Sequence, residues 1–375
     1  MSTIIAVMGT RPEAVKMAPV IAALAAYDSL TVIPVATAQH RQMLDEVLRV
    51  FEIVPAHDLN VMTDDQEIAD VTAKCVVGID RVLKRERPAM VLGQGDTTTV
   101  LAAALAAYYN RVPFGHVEAG LRTADKFSPF PEEMNRRAVA VLADLHFAPT
   151  GGARENLLRE GIAEESIHVC GNPVVDAVQH IAAQPLPAGH LGAQIDEFRG
   201  RIEKLVLVTA HRRESFGAPM EEICRALLEI AEADPEVGIL LPVHPNPNVR
   251  GVVERVLSHH PRICLTGPLD YPGFVHLLRD ARVALTDSGG VQEEAPSLGT
   301  PVLVLREKTE RPEGISVGVA RLVGTDRRRI VAETRALLAG GEAHRRMVSA
   351  VNPYGDGRAA ARIAALVAAF VEGDR

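Results

Sequence analysis

Short apolar runs alternate with amphipathic helical stretches along almost the whole chain of 375 residues. The apolar runs lie at residues 4–8, 31–36, 90–92, 114–117, 145–148, 205–209, 238–243, 263–265, 283–286 and 301–305. Between them, apolar residues recur at helical spacing, for example over 14–26 and 220–233. Continuous apolar strands that alternate with helices indicate parallel sheets covered on both faces. The chain is therefore predicted to have an α/β fold.

A stretch rich in proline and glycine, residues 184–201, interrupts this alternation and precedes a new apolar run. We place a domain boundary there, between about 173 and 203. The predicted domains are 1–173 and 174–357, each with about four to six strands. Both are expected to be doubly wound and Rossmann-like and to face each other across a cleft. A last helix, near 358–375, could pack on either domain.

Composition excludes several partners. The formal charge is −8 and no Lys/Arg-rich run is present, which argues against a nucleic-acid surface. No apolar run approaches the ~18 residues that a membrane span needs. The first residues, MSTIIAVMGT, are typical of a β-strand and not of a signal peptide. A cytoplasmic protein without a membrane or nucleic-acid partner is expected.

Several familiar chemistries have no motif in this sequence. The four cysteines are widely spaced without a CxxC, which predicts buried thiols in a reducing compartment. There is no GxGxxG after the first strand, no GxxxxGK[ST], no HExxH and no GxSxG. Dinucleotide binding through that fingerprint, a P-loop and a zinc-protease site are therefore not supported.

Polar motifs follow the apolar runs. They are GTRPEAVK (9–16), GQGDTTT (93–99), HVEAGLRT (116–123), TAHRRESFG (209–217), PVHPNPN (242–248) and TDSGG (286–290). In open α/β sheets, ligands bind outside the carboxyl ends of the strands. Structural loops would mostly contain Gly, Asn, Asp or Pro, whereas arginines, acids and histidines recur here. Together these motifs predict a ligand site in the cleft.

The motif TDSGG ends a strand and begins a helical pattern, with Glu293 and Glu294 expected in the first helical turn. The N–H groups of Ser288, Gly289 and Gly290 would face an anion at the positive end of the helix dipole. The carboxylates could accept hydrogen bonds from sugar hydroxyls, so a nucleotide or nucleotide sugar is indicated. The alternative is an ordinary strand–turn–helix whose glycines only make the turn.

Individual residues differ in how well a structural role explains them. Arg11 and Lys16 are cations near a helix N-terminus, where they oppose the dipole, so an anionic ligand is favoured. Glu118 is an unusual capping residue, which favours a functional role. For Asp96, an N-cap and a catalytic role remain equally open. Glu132 has a sufficient explanation in a favourable helix-dipole position.

His211, Arg212 and Arg213 follow an apolar strand and have little structural reason to be there, so function is favoured.

The motifs together resemble the bacterial non-hydrolysing UDP-N-acetylglucosamine (UDP-GlcNAc) 2-epimerases. The similarity runs in order from GTRPEAVKMAPVI through TAQHRQML, GQGDTTT, GHVEAGLRT, PFPEEMNRR, VTAHRRESFG, PVHPNPNV and LTDSGGVQEEAPSLGTPVLVLREKTERPEG to NPYGDG. The resemblance implies a fold like that of the GT-B glycosyltransferases, with the final helix crossing back onto the first domain. It also implies a homodimer with no metal and no nicotinamide cofactor.

The resemblance further implies roles for particular residues. The UDP side would comprise Arg11, Phe274, Ser288, Gly289, Gly290, Glu294 and Arg311. The sugar side would comprise Lys16, Asp96, Glu118, Glu132, Arg136 and His211. Arg213 would join Arg11 in stabilising charge on the diphosphate. One departure is Asp65, which stands where some members have an arginine that binds a second, activating UDP-GlcNAc, so activation is in doubt here.

The implied reaction converts UDP-GlcNAc into UDP-N-acetylmannosamine (UDP-ManNAc) for surface polysaccharide synthesis. UDP is eliminated to give 2-acetamidoglucal and then re-added. Asp96, Glu118, Glu132 and His211 are the catalytic candidates, and which of them is base or acid stays open. The alternatives are a hydrolysing relative, a GT-B glycosyltransferase, a non-catalytic nucleotide-sugar sensor, and an epimerase of a modified UDP sugar.

Overall fold

The computed structural model describes residues 1–39, 41–63, 66–123 and 125–373, with only the backbone of Gln42. The chain divides into two compact units. The first consists of Met1–Ala177 and Tyr354–Arg375, and the second of Val178–Pro353. The chain therefore passes between the units twice, at 177–178 and at 353–354.

Within the described residues, the first unit contains a parallel sheet of seven strands. They are β1 (Ser2–Met8), β2 (Leu30–Ala36), β3 (His57–Asp58), β4 (Met90–Gln94), β5 (Phe114–Val117), β6 (Leu145–Ala148) and β7 (Ile167–Val169). Their order is β3-β2-β1-β4-β5-β6-β7, so the winding direction reverses between β1 and β4. Apolar residues of β1 are buried on both faces of the sheet, as expected for a parallel strand covered by helices.

Helices cover this sheet. They are α1 (Arg11–Ala25), α2 (Arg41–Val50), α3 (Ile68–Glu86), α4 (Thr98–Tyr109), α5 (Glu132–Leu142), α6 (Gly151–Arg159) and α7 (Pro173–Ala183), and α7 continues into the second unit. The alanine-rich α4 packs between α3 and α5. Its small side chains are almost all buried, and they allow this close approach.

The second unit repeats the arrangement with six parallel strands among the residues described. They are β8 (Lys204–Thr209), β9 (Val237–Pro242), β10 (Ile263–Thr266), β11 (Val283–Thr286), β12 (Val302–Val304) and β13 (Ala320–Leu322). The order β10-β9-β8-β11-β12-β13 reverses between β8 and β11. The helices are α8 (Ala193–Arg199), α9 (Ala218–Ala233), α10 (Pro247–Leu257), α11 (Tyr271–Asp280), α12 (Gly289–Ser297), α13 (Pro312–Val317), α14 (Arg327–Leu338) and α15 (Glu342–Ser349).

The last helix, α16 (Ala359–Gly373), belongs to the first unit and packs against α1. Ile363 and Val367 are among its buried residues. The Asp176 carboxylate of α7 accepts the backbone N–H groups of Ala359 and Ala360, at 3.2 and 2.9 Å. These bonds satisfy donors that the start of the helix would otherwise leave unpaired.

The predicted fold class is confirmed, because the chain forms two doubly wound α/β domains with parallel sheets. The predicted four to six strands per domain is wrong for the first unit, which has seven strands in its described part. The prediction misses β3 and β7 in the first unit and β13 in the second, and these strands are two or three residues long. Runs this short have no apolar pattern to detect. No helix in the described residues is long and apolar enough to cross a membrane.

Candidate active site

In the first unit, predicted site residues lie at the carboxyl ends of β1, β4 and β5, where the strand order reverses and next to it. Arg11 is the first residue of α1, and Asp96 lies between β4 and α4. Glu118 follows β5 directly. Ligands of doubly wound sheets bind at this position, because the loops on either side of the reversal diverge there.

Glu118 is held by a cation and by amide groups from distant parts of the chain. Its Oε1 lies 2.5 Å from Lys16 Nζ and 2.8 Å from Asn172 Nδ2. Its Oε2 accepts a hydrogen bond from the side chain of Gln94. Glu118 is 7% exposed and has a backbone φ of +64°, which is uncommon for a residue with a Cβ. A strained, buried carboxylate with fixed partners is characteristic of functional sites.

Asn172, which no sequence motif singled out, is fully buried. Besides donating to Glu118, its Oδ1 accepts the N–H of Val174 at 3.1 Å, and its own N–H donates to the carbonyl of Tyr354 at 2.6 Å. It therefore joins Glu118 to the point at which the chain returns to the first unit. The sequence signal was its position in the turn GNP, three residues after the end of β7.

An Asn172→Ala variant is expected to reduce kcat about 10-fold and to change KM less, because Glu118 would lose a positioning hydrogen bond and not a substrate contact. Steady-state kinetics checks this. Asn110→Ala is the matched control, since Asn110 binds Asp80 and the end of α4 at 2.9 and 2.8 Å, away from Glu118. Equal kinetics for the two variants would exclude a positioning role.

Asp96 is paired with Arg136 of α5 at 2.8 Å from Oδ2 to Nη2. Burial raises the pKa of Asp96 above its ordinary value, Arg136 opposes the rise, and the charge of Glu118 adds to it. The open question of an N-cap role is decided by Thr97, which is the N-cap of α4 and accepts the N–H of Val100. Asp96 is thus free of helix capping and has a proton affinity suited to acid–base chemistry.

Glu132 and Glu133 begin α5, as the dipole argument predicts. Their environments differ. Glu133 is fully buried, where it accepts the N–H of Thr123 at 3.0 Å and pairs with Arg137 at 2.8 Å. Glu132 is half-buried, and its charge raises the pKa of Asp96. Glu133 therefore has a structural role, whereas Glu132 lies beside the Asp96–Glu118 cluster.

In the second unit, the motifs after β8 and β11 lie side by side where the strand order reverses. The hydroxyls of Thr209 and Thr286 are 2.6 Å apart. Asp287 follows and is fully buried, and its Oδ2 accepts the backbone N–H groups of His211 and Arg212, each at 2.7 Å. His211 Nδ1 lies 3.1 Å from Asp287 Oδ1.

Burial alone would raise the pKa of Asp287, but the His211 side chain and the two backbone N–H groups outweigh it and lower the pKa. An ionised carboxylate beside Nδ1 favours the tautomer of His211 that carries its proton on that nitrogen. The ring of His211 stacks on that of His244, with centroids 5.6 Å apart. Burial lowers the pKa of His244, and the neighbouring His211 adds to this effect. His244 also accepts the N–H of Asn246 on Nδ1 at 3.1 Å, so it both closes its own turn and packs on His211.

Ser288 is the N-cap of α12, and Gly289 and Gly290 are its first residues. A Cβ on Gly289 would lie 3.1 Å from Cζ of Arg311, which is a tight contact, so glycine lets the guanidinium lie close to the helix start. Arg311 Nε in turn lies 3.0 Å from Glu293 Oε1. The arrangement places a cation beside the positive helix end, which suits an anionic ligand.

Glu293 and Glu294 were expected in the first turn of this helix, and that expectation is wrong. The helix begins at Gly289, so the two carboxylates lie in its second turn, where their interaction with the helix dipole is weaker. Both are buried. The helix dipole does not account for the burial of these two carboxylates, whereas their partners do, Arg311 for Glu293 and Tyr271 for Glu294.

Glu294 Oε1 accepts a hydrogen bond from the hydroxyl of Tyr271 at 3.1 Å. Tyr271 begins α11 and is one helical turn from Phe274, so both project from the same side of that helix. The structure thus brings Glu294 close to the helix of Phe274. Tyr271 was missed because a tyrosine next to proline at a helix start has an ordinary structural explanation.

Two further predicted residues lie at the starts of short or long helical segments. Arg213 lies in a short 3-10 turn with an exposed side chain, whereas its neighbour Arg212 is half-buried. Arg11 is half-buried at the start of α1. Asp65, on which the doubt about activation rests, lies outside the described residues. Its neighbour Gln66 accepts the N–H of Thr63 at 2.8 Å. No cluster of His, Cys, Asp and Glu that could hold a metal ion occurs in the part of the chain described.

A family model described as UDP-N-acetylglucosamine 2-epimerase matches residues 22–368 of this chain. The chain belongs to this family. A UDP-N-acetylglucosamine 2-epimerase of Salmonella typhimurium is 51% identical over 363 residues, which cover 96% of each chain. The structure of Neisseria meningitidis UDP-GlcNAc 2-epimerase bound to UDP-GlcNAc superposes with a TM-score of 0.88 at 41% identity, covering 98% of this chain and 99% of that one.

A co-structure of S. aureus MnaA with UDP gives a TM-score of 0.90 at 43% identity, covering 99% of this chain and 97% of that one. The family resemblance predicted from the motifs is confirmed, and the chain is an enzyme of the UDP-N-acetylglucosamine 2-epimerase family.

Proposed function

We propose that this chain interconverts UDP-GlcNAc and UDP-ManNAc by inverting C2 of the sugar. The observation that carries the proposal is the acidic cluster of the first unit, in which Glu118 is paired with Lys16 and Asp96 with Arg136. A transferase that shares the fold needs no such set of carboxylates around C2. A relative named UDP-N-acetylglucosamine 2-epimerase, which is 51% identical in sequence to this chain, supports the same substrate.

The C2 proton is not next to a carbonyl, so direct deprotonation is unfavourable. We propose an elimination in which a base removes the C2 proton, a C1–C2 double bond forms, and the C1–O bond breaks to release UDP. The intermediate is 2-acetamidoglucal. Re-addition of UDP at C1, with a proton delivered to the other face of C2, completes the inversion. Because UDP and one proton are both added back to the sugar, the reaction consumes no cofactor.

We propose that Asp96, Glu118 and Glu132 carry out the proton transfers at C2. General acid–base catalysis by such groups contributes roughly 10²–10⁴-fold each. The raised pKa of Asp96 supports a role as proton donor, and the pairing of Glu118 with Lys16 supports an ionised base. Which of these carboxylates acts as the base and which as the acid is part of this proposal.

The second unit is proposed to hold UDP. Ser288, Gly289 and Gly290 would bind the diphosphate at the start of α12, with Arg311 alongside. Glu294 would accept the ribose hydroxyls, and Phe274 would lie by the uracil. His211 would contact the diphosphate or the sugar. Stabilising charge on the departing diphosphate is usually the largest catalytic contribution, with single donors worth ~3 kcal/mol.

The expected homodimer, the cytoplasmic location and the supply of the product to surface polysaccharide synthesis stay predictions.

Incubation with UDP-GlcNAc in D2O tests the proposal. We expect UDP-ManNAc with deuterium at C2, and deuterium in the recovered UDP-GlcNAc if the reaction is reversible. NMR of the C2 position and mass spectrometry measure both. Release of free N-acetylmannosamine would indicate a hydrolysing enzyme. An unchanged substrate without deuterium would indicate a transferase or a sensor. A modified UDP sugar that reacts faster than UDP-GlcNAc would identify a different substrate.

A further inference from the structure

Glu13 is a buried carboxylate to which the proposed mechanism assigns no role. It is the third residue of α1 and is 1% exposed. Its Oε2 accepts the backbone N–H groups of Gly9 and Thr10, at 2.7 and 2.6 Å. Its Oε1 accepts a hydrogen bond from the hydroxyl of Thr97.

The bond from the Thr10 N–H is half of a capping box, whose other half runs from the Glu13 N–H to the Thr10 side chain, and this is an ordinary way to begin a helix. An exposed glutamate would serve that purpose without the cost of burying a charge. The bond to Thr97 is of a different kind, because it joins residues 84 positions apart. It connects the turn after β1 to the turn after β4.

Both turns carry proposed site residues. Arg11 directly follows Thr10, and Asp96 directly precedes Thr97. β1 and β4 are neighbours in the sheet, paired from Ile4 with Met90 to Val7 with Gly93, so the turns leave the sheet side by side. They pack so closely that a Cβ on Gly9 would lie 2.2 Å from Oγ1 of Thr99.

We propose that Glu13 is a positioning residue that sets the Arg11 turn and the Asp96 turn relative to each other. The inference rests on the proposed function, because it assigns Glu13 to the same reaction. Its carboxylate accepts hydrogen bonds from both turns. A shift of about 1 Å in such a group costs up to roughly 10²-fold in rate without altering the reacting groups themselves.

The ionisation of Glu13 offers a readout that a purely structural role would not affect. Burial raises its pKa to about 7, although the hydrogen bonds from Thr97, Gly9 and Thr10 oppose the rise. Among the described residues, no basic side chain forms an ion pair with it. Cys75 of α3 is the titratable group of a neighbouring helix that senses its charge, and burial chiefly raises the pKa of that thiol to about 11.

The carboxylate form accepts from both turns at once. A proton on Oε1 would make it a donor to Thr97 and reverse that bond. We therefore expect kcat/KM to rise with pH through about 7 as Glu13 ionises. Asp96 is a second titratable group of the site. A changed pH profile in an Asp96 variant would therefore not show that Glu13 contributes, whereas a changed pH profile in a Glu13 variant would.

The test compares Glu13→Gln and Glu13→Asp with Thr97→Val and Thr97→Ser, measuring kcat and KM from pH 5.5 to 9. Glu13→Gln is expected to lower kcat about 10-fold at pH 8 with KM within about 2-fold, and to remove the inflection near 7. Thr97→Val should lower kcat similarly while Glu13 keeps its capping bonds, and Thr97→Ser should retain near-normal turnover. Glu13→Asp, with its shorter side chain, should recover part of the pH dependence.

Wild-type incorporation of deuterium at C2 is measured in parallel. If the wild type shows none, the proposed function fails. If the wild type epimerises and both Glu13→Gln and Thr97→Val keep its kcat and its pH profile, the positioning role fails while the function stands. If Glu13→Gln does not fold, the Thr97 pair decides the question alone.

Discussion

A Glu118→Gln enzyme should fold normally and lose roughly 10²–10⁴-fold in kcat, because an amide cannot exchange a proton with C2. Glutamine keeps one oxygen for Lys16 and Asn172, and its new NH2 group would face the amide of Gln94. Rotating the Gln94 amide by half a turn presents its oxygen and restores that bond. Steady-state kinetics should show the loss of activity, and thermal unfolding should show that stability is unchanged.

Glu165→Gln is the matched control for this change, since Glu165 is an exposed carboxylate of the same unit. It should have wild-type turnover. Deuterium incorporation gives a second measurement, because loss of the C2 base stops exchange as well as net epimerisation. A Glu118→Gln enzyme that turns over within about 3-fold of the wild type would remove Glu118 from the proton transfers and leave Asp96 and Glu132.

An Asp287→Asn enzyme is the second variant for which we expect a large effect, about 10²-fold in kcat. One oxygen of the Asp287 carboxylate lies 3.1 Å from His211 Nδ1, and the other accepts the backbone N–H groups of His211 and Arg212. An asparagine offers one oxygen and one NH2 group, so either the ring or the two backbone N–H groups would lose their acceptor. His211 would then no longer be held in position for the diphosphate or the sugar.

The same variant should lose about 1–3 kcal/mol of unfolding free energy, since the bonds to the carboxylate are charge-assisted and buried. The pKa of Asp287 is lower in the folded than in the unfolded chain. Its contribution to stability is therefore fully present above about pH 4 and is lost as the pH falls further. Chemical denaturation of the wild type and the variant measures the difference in unfolding free energy, which should be smaller below pH 4 than at pH 7.5.

Asp280→Asn is the control, because Asp280 forms an exposed pair with Arg199 and such pairs contribute about 0–1 kcal/mol. A double variant, His211→Gln with Asp287→Asn, sharpens the test. If Asp287 acts through His211, the double variant should be no slower than His211→Gln alone. Additive losses in kcat would show that Asp287 acts independently of His211.

The strands with strong apolar runs could be predicted from the sequence, since the periodicity of a buried parallel strand is local. β3 and β7 could not, because their pairing is imposed by neighbours in the sheet and not by their own two or three residues. The same distinction explains the position of Glu293. Where a helix begins depends on the first residue that adopts helical geometry, and a Gly-Gly pair gives little local preference.

Some charged residues of the candidate site, such as Arg11, Glu118 and His211, were also detectable, because a structural role explains them poorly at a strand end. Asp96 and Glu132 have structural explanations, and only the family resemblance assigned them to the site.

The partners of these charged residues were not detectable. Gln94 and Asn172 reach Glu118 from 24 and 54 residues away, and neither residue type is unusual in its own segment. Asp287 stands next to the glycines of TDSGG, which indicate no more than a turn. Its contacts with His211 and Arg212 depend on β8 lying next to β11, which is a property of the sheet order.

The packing of α16 on α1 has a consequence for the order in which the protein is made. The second unit is one continuous stretch of chain, Val178–Pro353, whereas the first unit also requires the residues after Pro353. During synthesis, the second unit has all its residues before the first one does. Until α16 emerges from the ribosome, the apolar surface of α1 that it covers stays exposed, and the nascent chain is then most open to chaperones and to aggregation.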